Sequence, residues 1–87
     1  MGLFKIDLKG SSEHDLRNID RQYISRIFSA IESLAENPFP IQSRKMKGSE
    51  SSYRLRMGDY RIIYQVDTEN KIIVIYHARH RKNAYKR

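Results

Sequence analysis

The run Tyr53-Arg-Leu-Arg-Met-Gly-Asp-Tyr-Arg-Ile-Ile-Tyr-Gln-Val66 decides the fold of this 87-residue chain. It reads as two strands joined by Gly58-Asp59. Glycine at the first central position suits a two-residue type II′ turn, whose twist matches that of the flanking strands. A loop of that length sets the register, so that Met57 faces Tyr60, Arg56 faces Arg61, Leu55 faces Ile62, Arg54 faces Ile63 and Tyr53 faces Tyr64. Side chains alternate along a strand. One face therefore collects Tyr53, Leu55, Met57, Tyr60, Ile62 and Tyr64, and the other carries Arg54, Arg56 and Arg61. Like charges directly opposite each other destabilise a sheet. Placing Arg56 against Arg61 has no structural benefit, and it predicts an anion on that face.

Downstream, Asp67-Thr68-Glu69-Asn70-Lys71 predicts a type I turn followed by Asn70 in a left-handed conformation. A third strand then runs from Lys71 to Arg79. Its Ile72-Ile73-Val74-Ile75 core is apolar on both faces, as expected of a central strand. If Asp67 pairs with Lys71, Ile63 faces Ile75, Arg61 faces His77 and Asp59 faces Arg79. His77 and Arg79 then join the three arginines, and Val74 and Tyr76 join the opposite, helix-bearing face. A slip of one residue would exchange the faces.

Upstream, Phe4, Ile6 and Leu8 alternate with charged residues and predict a short first strand ending at Gly10-Ser11-Ser12. Ser11 or Ser12 is placed to cap a helix. Leu16, Ile19, Tyr23, Ile27, Ala30, Ile31 and Leu34 then follow a helical period. A break near Asn18 allows one bent helix or two; we read two, over 12–18 and 20–36. Asn37-Pro38 ends the second, because the residue before proline is driven out of the helical region. Residues 41–52 have no clean period and read as a loop containing Lys45 and Lys47. The expected fold class is α+β, with two N-terminal helices packed on a small antiparallel sheet in the order β-α-α-β-β-β. It forms a single domain over residues 1–87.

The net charge of +7 is concentrated in one half. Residues 1–43 hold five Lys/Arg against six Asp/Glu, whereas residues 44–87 hold twelve against four. A cationic half beside a neutral one is the footprint of a protein that meets phosphates or an acidic partner. No apolar run is long enough to cross a membrane, and Met1-Gly-Leu-Phe-Lys-Ile-Asp7 is neither a signal peptide nor a myristoylation motif. The absence of cysteine suits a reducing compartment, and the expected location is the cytoplasm. Zinc-ligand spacing, a nucleophile elbow and a phosphate-binding glycine loop are all missing, so no metal and no cofactor are expected.

The remaining chemistry is that of arginines on RNA. Arginine's planar fork suits phosphate. A cluster of them can stabilise the phosphorane formed when a 2′-OH attacks its neighbouring phosphate. That cleavage also needs a base and an acid. His80 and His77 are candidates, because histidine titrates near neutrality, and Tyr85 is placed to stack on a base. Each has a plainer role available. Arg54 and Arg56 suit a solvated strand face, His77 suits packing beside Arg61, Tyr85 suits anchoring the tail, and Tyr53, Tyr60, Tyr64 and Tyr76 suit the core.

Leu34-Ala-Glu-Asn-Pro-Phe-Pro40, Lys45-Met-Lys-Gly48, Tyr53 to Asp67, and His77-Ala-Arg-His-Arg-Lys-Asn-Ala-Tyr85 together resemble the RelE/ParE toxin superfamily of toxin–antitoxin pairs. The resemblance spans nearly the whole chain in order. It implies a RelE-like fold, and an acidic, adjacently encoded RelB-like antitoxin that silences the toxin, with a toxin–antitoxin heterotetramer as one assembly. The RelE branch cleaves messenger RNA in the ribosomal A site, and the ParE branch poisons DNA gyrase without cleaving nucleic acid. RelE-type site positions map onto Arg54 and Arg56 before the glycine turn, Arg61 after it, Arg79 at the last strand's end, and Tyr85. The best-known branch has lysines where Arg54 and Arg56 stand. Arginine is a poor base, so His80 becomes the first candidate for proton transfer and His77 the second. Arg61 is expected to hold the scissile phosphate, Arg56 to support it and Arg79 to serve the leaving side. Arg54, Lys45, Lys47, His77 and Arg81 are the expected RNA contacts.

Overall fold

A computed structural model describes residues 3–48 and 50–80 of the chain. Its elements are β1 (Lys5–Leu8), α1 (Gly10–Arg17), α2 (Arg21–Glu36), β2 (Ser43–Lys45), β3 (Ser52–Met57), β4 (Tyr60–Asp67) and β5 (Ile72–His80). The five strands form one sheet in the order β1-β5-β4-β3-β2. The α+β architecture with two N-terminal helices is the one read from the sequence. Two details differ. The sheet is mixed, because β1 lies parallel to β5 with Ile6 opposite Ile73 and Leu8 opposite Ile75. The segment read as a loop also supplies β2, which pairs with β3 through Arg44 opposite Arg54. A three-residue edge strand leaves no periodic trace in sequence.

The helices form for the expected reason and start differently. In α2, Ile27, Ile31 and Leu34 recur at helical spacing and are fully or almost fully buried. They meet Leu55, Ile62, Tyr64, Val66, Ile73, Ile75 and Ala78 of the sheet. Burying each large aliphatic chain contributes about 1.5–3 kcal/mol. Neither Ser11 nor Ser12 is an N-cap; Lys9 holds that position without a side-chain cap bond. The two serines lie inside α1 instead. Ser12 Oγ donates to the Lys9 carbonyl at 2.7 Å, and Ser11 Oγ donates to the Tyr76 carbonyl of β5 at 2.7 Å. Tyr64 ties the chain beyond α2 to the core, its hydroxyl donating to the Pro38 carbonyl at 2.7 Å. Burial raises the pKa of that phenol.

The β3–β4 register is the expected one throughout, from Tyr53 opposite Tyr64 to Met57 opposite Tyr60, with Gly58 at φ +59°. The second turn is one residue longer than expected. Lys71, at φ +57°, takes the left-handed position assigned to Asn70, and Asp67 pairs with Ile72. Asp67 closes that turn with its carboxylate, which accepts from the Asn70 backbone N–H at 3.0 Å and from its amide at 2.9 Å.

The longer turn exchanges the two faces of β5, so Ile73 and Ile75, not Val74 and Tyr76, enter the core. Tyr76 then interrupts the ladder, since Tyr64 faces Ile75 while Ile63 faces His77. Such a bulge puts one extra residue on one strand and resets the alternation beyond it. His77 and Arg79 therefore return to the face of Arg61, where the simpler register had placed them. Ala78 goes to the core and His80 lies opposite Tyr60.

Candidate nucleic-acid interface

On the sheet face away from the helices, two rows of side chains cross the strands. One runs Arg44, Arg54, Ile63, His77; the next runs Arg56, Arg61, Arg79. Neighbouring strands are about 4.8 Å apart, so five guanidinium-bearing residues share a small patch. Arg44, Arg54, Arg56 and Arg61 line a cavity of about 440 Å³ together with Ile41 and Gln42.

Arg61 is the centre of the patch. It is only 7% exposed, and Arg56 and Arg79 flank it across the ladder. Its Nη1 donates to the Tyr60 carbonyl at 3.4 Å. Among the described residues the ion pairs all fall on Asp15, and none reaches Arg61. A buried cation without a counter-ion is costly. An anion binding on this face would remove that cost. Arg44, which sequence reading missed, is oriented by backbone carbonyls: its Nη1 donates to Ile41 and Ser43, each at 3.0 Å.

At the other end of the patch Asp15 of α1 reaches the β5 edge beyond the point where β1 stops. Its Oδ2 accepts from His77 Nδ1 at 2.8 Å, from the Ala78 N–H at 3.3 Å and from Arg79 Nε at 3.4 Å. Nothing local marks a contact between α1 and the far end of the chain.

The structure separates the other candidates. Arg54, Arg56, Arg61, Arg79 and His77 share the open face. His80 does not. Its ring meets Tyr60 edge-on at 5.3 Å, on the helix-bearing side of the sheet, because the bulge sends residues 78 and 80 there. Lys45 pairs with Tyr53 and so shares the helix-side alternation, leaving Arg44 as the β2 cation in the patch. Lys47 is exposed in the turn after β2. Tyr85 and Arg81 lie outside the described residues. Tyr60 packs against Tyr23 at 5.4 Å, and its phenol is raised in pKa mainly by burial, with smaller contributions from Tyr23, Asp20 and Asp59.

Known proteins share both the sequence pattern and the fold. The sequence model of the ParE toxin of type II toxin–antitoxin systems (parDE) matches residues 6–85. A protein of Methanocaldococcus jannaschii that carries the name toxin RelE1 is 30% identical over 86 residues, covering 95% of this chain and 96% of that one. In the crystal structure of the archaeal RelE–RelB complex from Pyrococcus horikoshii OT3, one chain superposes with a TM-score of 0.80 at 26% identity. The match covers 93% of this chain and 97% of that one. The RelBE2 toxin–antitoxin complex of Mycobacterium tuberculosis matches with a TM-score of 0.81 at 19% identity, covering 92% and 93%, which shows the shared fold. Matched over nearly its whole length by the family pattern and by a relative named as a toxin, the chain belongs to the RelE/ParE superfamily of type II toxin–antitoxin toxins.

Proposed function

We propose that this toxin is a ribosome-dependent endoribonuclease that cuts messenger RNA in the A site by 2′-OH attack on the adjacent phosphate, and so stops translation. The observation that carries the reading is Arg61, a buried guanidinium with no carboxylate partner among the described residues, set between Arg56 and Arg79. In this reading Arg61 holds the scissile phosphate, and Arg54 and Arg56 bind the flanking backbone. Arg79 stabilises the charge that develops on the leaving side. Preorganised cations act most strongly where charge appears in the transition state. The chemistry uses the RNA's own hydroxyl as nucleophile and needs no metal to generate one. Such a toxin acts in the cytoplasm, where ribosomes translate. Its natural silencer is an acidic, RelB-like antitoxin, a reading supported by the RelB partner in the Pyrococcus horikoshii complex.

Primer extension on messages translated in a purified system tests it. Wild-type toxin should create new A-site ends, and Arg61→Ala should lower the cleavage rate by about 10²–10³-fold. No new ends with wild type, or undiminished cutting by Arg61→Ala, would overturn it. A second reading, inhibition of DNA gyrase without cleavage, is favoured by the match to the ParE pattern. A supercoiling assay separates the two: a nuclease leaves gyrase working, whereas a gyrase poison leaves messages intact.

A further inference from the structure

The arginine patch lacks a proton acceptor of its own, because a guanidinium stays protonated in proteins. His80, first choice on sequence, stands against Tyr60 on the other face. His77 is the histidine that the sheet brings to the arginines: it shares a row with Arg54 and lies diagonal to Arg61. The bulge at Tyr76 is what puts it there. With unbroken alternation after Ile73 and Ile75, residue 77 would enter the core.

We infer that His77 is the general base of this toxin and that Asp15 is its positioning residue. The inference rests on the ribonuclease reading above. An ionised carboxylate only accepts hydrogen bonds, so the 2.8 Å contact to Asp15 Oδ2 assigns the hydrogen to His77 Nδ1. In the neutral ring Nε2 is then the acceptor. Asp15 is itself well held. Its side chain is 13% exposed, and the same oxygen takes the Ala78 N–H and Arg79 Nε. The His77 side chain remains 29% exposed, open to a substrate lying over the patch. A carboxylate that orients an imidazole and leaves its other nitrogen free to take a proton is an arrangement suited to general-base catalysis.

In the step, Nε2 accepts the 2′-OH proton as O2′ bonds to the phosphorus held at Arg61. The P–O5′ bond breaks and its electron pair leaves on O5′. That oxygen takes a proton from solvent water, and His77 returns its own proton to solvent. The products are a 2′,3′-cyclic phosphate and a 5′-hydroxyl end.

The test uses the full chain, the programmed ribosome and single-turnover conditions. His77→Gln retains an amide N–H that can donate to Asp15 but has no basic nitrogen, and should cut about 10²–10⁴-fold more slowly. Asp15→Asn should lose part of the rate with ribosome binding unchanged. A message carrying sulfur at the bridging 5′ position has a leaving group that needs no proton, so it should not rescue His77→Gln. Rescue would make His77 the acid and overturn the assignment. Wild-type cutting matched by His77→Gln would overturn the pair alone, whereas no cutting by wild type would remove the ribonuclease reading and the pair with it. A readout on the wild-type protein stands apart from any folding defect. Long-range ¹H–¹⁵N spectra should show the neutral His77 ring protonated at Nδ1, with the tautomers mixing in Asp15→Asn. A wild-type ring protonated at Nε2 would overturn the inference.

Discussion

Arg61 has opposite consequences for binding and for stability. At 7% exposure it has lost most of its water, and among the described residues no carboxylate replaces that water. Removing a buried, uncompensated charge and filling its place with apolar atoms relieves a desolvation cost. Arg61→Met should therefore raise stability, by about 1 kcal/mol or more, while binding of RNA is lost. Urea denaturation checks the first part and RNA titration the second. A variant less stable than wild type would mean that Arg61 is satisfied in the free protein and is not a vacant anion site. Arg54 and Arg56 differ in kind: both are exposed, so their replacement by alanine should leave stability nearly unchanged.

At the scale of the element, β5 determines what the site contains. Its faces are set by a turn and a bulge acting in succession: the longer turn at Lys71 exchanges them, and Tyr76 exchanges them again. Asp67 holds the turn. Its carboxyl titrates below the ordinary value of 3.8, first because the Asn70 side chain donates to it and then because the Asn70 backbone does. A folded-state pKa that is depressed contributes stability above the unfolded pKa, and that contribution is lost as pH falls through the folded value. Asn70→Ala should accordingly lower Tm at neutral pH, and the difference from wild type should shrink once the pH drops below about 3.8. Thermal melts at several pH values measure this, and a difference constant down to low pH would mean that Asp67 does not hold the turn through its charge.

For the whole molecule, the sheet separates apolar from cationic. The helices and core take one face. The other gathers Arg44, Arg54, Arg56, Arg61 and Arg79 from four strands, with α1 contributing the single oxygen that meets His77 and Arg79. Binding of single-stranded RNA by such a face releases counterions, about 0.7 per phosphate neutralised. Arg44→Ala should flatten the slope of log affinity against log salt concentration by about that amount, whereas Lys45→Ala, on the other alternation of β2, should leave it unchanged. Anisotropy titrations of a short RNA across a salt series report both slopes. Equal slopes for the two variants would show that β2 does not face the RNA through Arg44.

The sequence by itself determined whatever depends on neighbours along the chain. A two-residue turn allows one register, so Arg56 opposite Arg61 and the core face of the hairpin were legible from Gly58-Asp59 alone. Helical periodicity likewise marked Ile27, Ile31 and Leu34, and Pro38 marked the end of α2. Tertiary structure decided what depends on contacts between distant segments. The parallel pairing of β1 with β5, the Arg44–Arg54 pairing and the bond from Asp15 to His77 join residues far apart in sequence, and no local preference encodes them. The return of His77 to the arginine face, after the longer turn had exchanged the faces of β5, has the same origin. A bulge adds one residue where the core and the β5 edge can absorb it, and side chains alternate with a period of two, so one inserted residue changes which histidine meets the arginines.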